Sequence, residues 1–227
     1  MVVKKRRGAY HHPDLRRALI DAAVDLIGKH GAQALTLREV ARRAGVTHGA
    51  PYRHFPDREA LIAAVAEEGF HALGKLMATR MRPAVGDWPA AITACGVAYV
   101  EYATKHPAHF QVMFTAELQG KHPSMEAASQ QSFALLRDTV SGGQRDGTFL
   151  SAGDPDPAAL AAWSVVHGLA SLLVARRVPA PPRIAELATH TIELCLRGLV
   201  AVPREPERQA DLSVPARRAR RASAGRP

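Results

Sequence analysis

Residues 36–61, TLREVARRAGVTHGAPYRHFPDREAL, hold two short helices and the start of a third, longer one within a span of 26 residues. Thr36 and Glu39 have the spacing of a capping box, in which the Thr36 hydroxyl accepts from the Glu39 amide and the Glu39 carboxylate reaches back. The helix they open is short, because Gly45 comes two turns later and suits a left-handed backbone. Val40, Ala41 and Ala44 face inward, Val46 plugs the gap beside the turn, and Thr47 is placed to cap a new helix running roughly from Thr47 to Phe55. Small residues at Gly49 and Ala50 let that helix approach another molecule closely, although Pro51 removes one of its backbone donors and delays its first turn. Asp57, after Pro56, is placed to cap the third and much longer helix.

Upstream, Leu15, Ala18, Leu19, Ala22, Ala23, Leu26 and Ile27 recur with helical period, with Pro13 and Asp14 suited to the first turn and Gly31 to the C-terminal cap. Downstream, Ile62, Val65, Ala66, Gly69, Phe70, Leu73 and Met77 keep that period until Arg82-Pro83 ends a long helix. Further helical stretches are separated at Pro107, at 120–123, at 147–157 and at 179–182. No segment alternates as a strand does, so the expected fold is all-α with about nine helices. The last two helices are apolar nearly all round, with Trp163, Val166, Leu169 and Leu173 in one and Ile184, Leu187, Ile192 and Leu196 in the other. Cover on both sides is expected from a homodimer formed through this pair. The organisation that emerges is a basic disordered arm at 1–13, a module of short helices at 14–60, a larger helical dimerisation domain at 61–202, and a disordered basic tail at 203–227.

The net charge of +9 is unevenly placed. Residues 1–13 carry +4, residues 14–58 carry +3, residues 59–202 carry −2, and the tail carries +4. A polyanion is therefore expected to bind the N-terminal module and the ends of the chain. The two cysteines, Cys95 and Cys195, have no metal or redox spacing and read as small core residues. His106 and His109 stand three apart with His122 more distant, but no carboxylate or thiol completes a metal site at convincing spacing. Lys4-Lys5-Arg6-Arg7 leads into a polar segment rather than an apolar signal, and no run reaches membrane-spanning length, so a reducing cytoplasm is the expected setting, with no membrane partner.

The 36–61 stretch resembles the DNA-binding signature of the TetR family of bacterial repressors, and the match covers the whole of it. The resemblance implies a helix-turn-helix whose second helix enters the major groove, with Thr36, Arg38, Thr47, His48, Gly49, Ala50, Tyr52, His54 and Arg58 at positions where family members meet DNA. Tyr52, His54 and Thr36 suit phosphates, and Arg58 stands where lysine is common. Base readout then rests on Arg38, Thr47, His48 and Arg53, with Arg38 suited to a bidentate contact with guanine. Pro51 departs from the bulky aliphatic that members often carry there. Further on, His106 to Phe114 and the Trp163, His167 and Gly168 set resemble the C-terminal domain of a TetR subgroup named for its Trp, His and Gly. A pocket lined by Phe110, Met113, Phe114, Trp163 and His167 is expected from that resemblance, with Gly168 allowing another helix near.

The functional expectation is a homodimeric repressor that holds a pseudo-palindromic DNA operator and leaves it when a small-molecule effector binds. The alternative is an architectural or non-specific nucleic-acid binder acting through the basic tails. Catalysis is not expected: there is no nucleophile motif, glycine-rich phosphate loop, paired-carboxylate site or cofactor fingerprint, and no cofactor is implied.

Overall fold

The computed structural model describes residues 14–150, 153–179 and 183–198. The basic arm at 1–13 and the basic tail at 203–227 lie outside the described residues. Those described form eight α-helices, joined by short 3-10 turns, and no β-strand.

Each helix of the N-terminal module begins on a side-chain cap that the local sequence makes available. In α1 (Leu15–His30), Asp14 accepts from the Arg17 amide at 2.9 Å, and the helix ends at Gly31 with φ of 78°. In α2 (Leu37–Arg43), the Thr36 hydroxyl accepts from the Glu39 amide at 3.2 Å. The return half of the expected capping box is not made, because the Glu39 carboxylate takes Arg42, with Nε donating at 2.9 Å. Gly45 sits at φ of 71°, the left-handed turn that the sequence requires.

The next segment corrects the sequence expectation. Residues 47–55 do not form an α-helix; they form a turn at 47–50 followed by one 3-10 turn, Pro51–Arg53. Pro51 has no N–H to send back to Thr47, so the α-helical ladder has no rung there, and i→i+3 bonds take over from Ala50 to Thr47 (3.0 Å) and from His54 to Pro51 (2.9 Å). No side chain caps this turn, so Thr47 contributes its carbonyl rather than its hydroxyl. Pro51 is fully buried and takes the core position of an aliphatic.

The spine is α3 (Arg58–Met81), capped by Asp57 accepting from the Ala60 amide at 2.7 Å. Its first turns pack on α1, and the rest packs on α4 (Trp88–Lys105), α5 (Pro107–Met113) and α6 (Pro123–Arg145). Behind α4 lie α7 (Asp156–Val174) and α8 (Ile184–Leu196). Contrary to the sequence expectation, α7 is long and apolar enough to cross a membrane by length and composition. It packs inward through Ala159, Ala162, Val166, Ala170 and Leu173, while Leu172 on its other side is exposed.

Gly96 sets the spacing of this second layer. A β-carbon there would meet Ile192 Cδ1 at 2.5 Å and Val166 Cγ1 at 3.0 Å, on two different helices. Overpacking of this kind costs ~1–3 kcal/mol, against ~1 kcal/mol gained by replacing a helical glycine. Gly96→Ala is expected to lower the urea midpoint, with a net loss of up to ~2 kcal/mol; an unchanged or higher midpoint would show that α8 shifts freely.

Candidate DNA-binding face and ligand cavity

The cations of the N-terminal module fall into two groups. Arg17 pairs with Asp21 and Glu68, Lys29 and Arg43 pair with Asp25, Arg42 pairs with Glu39, and Arg16 lies 5.6 Å over the Phe55 ring. Arg38 and Arg53 have no ion-pair or hydrogen-bond partner for their side chains among the described residues, and both are exposed. Thr36, Thr47, His48, Gly49, Tyr52 and His54 are exposed with them, and Ala50 is half-buried. Tyr52 stands out because an aromatic side chain left 61% exposed has no packing role here. The Thr36 hydroxyl accepts from an amide, which leaves its proton for an outside acceptor.

Arg58 is placed differently from the sequence expectation. Its Nε donates to the Leu35 carbonyl at 3.0 Å and Nη2 donates to the Ala32 carbonyl at 2.7 Å, both partly buried. These two carbonyls bracket the 3-10 turn Ala32–Ala34 and lie just before Thr36. Arg58 therefore ties the start of α3 to the segment that carries Thr36.

In the second layer, α3, α4, α6, α7 and α8 enclose a cavity of about 600 Å³, within the range that holds a small organic ligand. Its walls are mostly apolar: Leu73 and Met77 from α3, Ile92 and Cys95 from α4, Leu136 from α6, Val166 from α7 and Ile192 from α8. Five aromatic side chains face it: Phe70, Tyr99, Phe114, Phe133 and Trp163. Of the five pocket residues expected from the sequence, Phe114 and Trp163 line the cavity. The other three do not. Met113 is buried against Gly69, Phe110 is buried with its ring edge against Tyr99, and His167 stands behind the wall. Tyr99, Phe70, Phe133 and both cysteines line it without having been singled out, because helical spacing alone does not separate a wall residue from a core residue. Burial pushes the Cys95 thiol up to about 12, and it donates weakly to Met77 Sδ at 3.6 Å.

Three polar groups at this wall form one chain. The Trp163 indole can only donate, and it donates to the Tyr99 hydroxyl at 3.2 Å. The Tyr99 hydroxyl lies 2.8 Å from His167 Nδ1, and the arrangement that leaves no buried hydroxyl unsatisfied has Tyr99 donating to a neutral His167 that carries its hydrogen on Nε2. Burial accordingly lowers the pKa of His167 and raises that of Tyr99. His106 is also lowered, by burial first and then by His109 and Lys105.

The two lowered histidines make stability depend on pH. Both rings bind protons more readily in the unfolded chain, so stability rises with pH across their titration and falls as the pH drops below the ordinary imidazole value of ~6.5. The thermal midpoint is expected to fall from pH 7.5 to pH 5, and to fall less in His167→Gln, which keeps an acceptor for Tyr99. An equal slope in both proteins would contradict a neutral His167.

Residues 19–65 match the family described as bacterial regulatory proteins, tetR family, and residues 92–195 match the tetracyclin repressor-like C-terminal domain. The chain belongs to the TetR family of transcriptional regulators. Among curated relatives, this TetR regulator is 41% identical over 64 residues to the HTH-type transcriptional regulator BetI of Rhizobium meliloti (strain 1021), a match covering 28% of this chain and 30% of BetI. The match thus spans about a third of that relative's length. A solved protein of unknown function from Rhodococcus sp. RHA1 is 32% identical, covering 86% of this chain and 100% of that one, with a TM-score of 0.74. A bacterial regulatory protein in the tetR family from Rhodococcus RHA1 shares the fold at 22% identity, with a TM-score of 0.67 over 82% of this chain and 97% of that one. The matched family and the curated relative are transcriptional regulators, not enzymes.

Proposed function

We propose that this TetR regulator is a homodimeric repressor that holds a pseudo-palindromic operator and releases it when a small molecule enters the second-layer cavity. The observation that carries this reading is the division of cations: Arg38 and Arg53 are exposed and unpartnered among the described residues, while their neighbours are tied to acids, carbonyls or a ring. Thr36, Thr47, His48, Gly49, Ala50, Tyr52 and His54 complete the face. Phosphates are met by Thr36, Tyr52 and His54, and base edges by Arg38, Thr47, His48 and Arg53. Residues 14–60 act as the DNA-binding domain and the remainder of the helical chain as the effector and dimer domain, in the cytoplasm.

The dimer seam in this reading is the outer face of α7 with α8. Ser164, Gly168 and Leu172 recur every four residues on α7, all exposed, and Leu194 of α8 is exposed as well. A β-carbon on Gly168 would meet nothing within 4 Å, so no described helix of this chain occupies the approach that glycine leaves open.

The lever in this reading is α3. Phe70, Leu73 and Met77 line the cavity, while Arg58 at the other end bonds to the turn before α2. Between them, Glu68 pairs with Arg17 of α1 at 2.6 Å and with His109 of α5 at 3.3 Å. A ligand that prefers one tilt of α3 changes the spacing of the two DNA-binding faces, and ligand and DNA then weaken each other reciprocally. Footprinting tests the geometry: two protected half-sites about one turn, ~34 Å, or somewhat more apart are expected, and a single half-site or an unbroken coat would overturn the dimeric reading.

A further inference from the structure

The buried polar side chains of the cavity offer acceptors and no cation, and this restricts what can enter. This inference rests on the proposed reading of the cavity as the effector site. No Lys, Arg or His lines it among the described residues. Ser132 is buried at the cavity wall, and its one proton is taken by the Phe70 carbonyl at 2.9 Å, shared with that of Ala128 at 3.0 Å, so its oxygen has only lone pairs left to offer. Tyr99 is in the same position: its proton goes to His167, and beyond the Trp163 bond it has only acceptor capacity left. At the mouth stand two carboxylates, Asp154 and Asp156, both exposed, with uncharged Ser129 and Gln130 as the other polar groups.

We propose that the cavity takes a hydrophobic amine, or another lipophilic cation bearing an N–H donor, and excludes carboxylates and phosphates. A ligand anion would find no cation and no free buried donor, and would lie near two like charges. An ammonium finds the opposite: acceptors at Ser132 and Tyr99, aromatic faces from Phe70, Phe114 and Trp163, and carboxylates where its charge reaches water. The apolar chain fills the rest of the space, which has room for a ten-carbon tail.

Calorimetric titration of the full chain with decylamine and with decanoate at pH 7 tests this, because the two probes share a tail and differ in the sign and donor character of the head. Decylamine is expected to bind at least about tenfold more tightly. In Asp154→Asn with Asp156→Asn, both exposed and outside the packed layer, the preference is expected to fall by about fivefold. Ala162→Phe, which fills the cavity, is expected to remove decylamine binding, and the surface pair of asparagines keeps the test open if that variant does not fold. Decanoate binding as tightly as decylamine, no binding of decylamine, or a preference untouched by the two asparagines would overturn the proposal. The readout needs no DNA. Decylamine bound in the cavity without release of an operator would overturn the effector reading and leave the cavity's selectivity standing.

Discussion

Gly168→Glu is expected to yield a folded monomer that has lost most of its hold on a palindromic duplex. Within one chain the site is open at the β-carbon, which meets nothing within 4 Å beyond its own stretch of helix, and replacing a helical glycine favours the helix. Across a two-fold axis the effect is opposite. Two glutamates would face each other on a seam built from Ser164, Gly168 and Leu172, where close helix approach leaves no water to screen them. Once the copies separate, each DNA-binding face acts alone and the second half-site no longer benefits from a high effective concentration. A loss on the order of 100-fold in affinity is expected. Sedimentation would read the mass and a gel shift would read the affinity. A dimer that survives the change, with affinity intact, would place the seam elsewhere.

The second large effect belongs to Arg38. A bidentate arginine contact with guanine is worth ~1–3 kcal/mol of discrimination, so Arg38→Ala is expected to weaken binding to the preferred operator by about 10- to 100-fold. Binding to unrelated duplexes is expected to change little by comparison, because one guanidinium lost from a non-specific contact costs mainly its counterion term. The Arg38 side chain has no partner within the described chain, so its removal should leave stability within ~0.5 kcal/mol. Arg42→Ala supplies the contrast. Its guanidinium is engaged by Glu39, and its loss should leave operator discrimination in place. Equal losses from the two variants would show that only total charge matters.

What could be read from the sequence divides by the range of the interaction. Thr36 and Asp57 were legible as caps because the amide each one receives is three residues away, whereas Asp14, expected in the first turn, is itself the cap. Gly45 was legible because a left-handed turn needs glycine whatever surrounds it. The long α3 and its end at Arg82-Pro83 followed from period and proline alone. The segment after Gly45 misled because capping and composition favoured a helix while one missing N–H at Pro51 decided for a 3-10 turn. The contacts of Arg58 were not legible for a different reason: its carbonyl partners lie 23 and 26 residues upstream. Pocket residues were only partly legible. Trp163 and Phe114 face the cavity, but Phe110, Met113 and His167 share their type and spacing and pack elsewhere. The chain from Trp163 through Tyr99 to His167 depends on a residue of α4 some sixty positions away, which no local pattern marks.

If the exposed residues of the 36–61 stretch read a defined DNA sequence as a symmetric pair, the decisive measurement is selection by the purified full-length chain from a pool of random duplexes at near-physiological salt. One pseudo-palindrome is expected to be enriched, and the enrichment to be lost when Tyr52 or Arg38 is replaced by alanine. Retention of duplexes that share no sequence, or no retention at all, would contradict sequence-specific reading by a dimer.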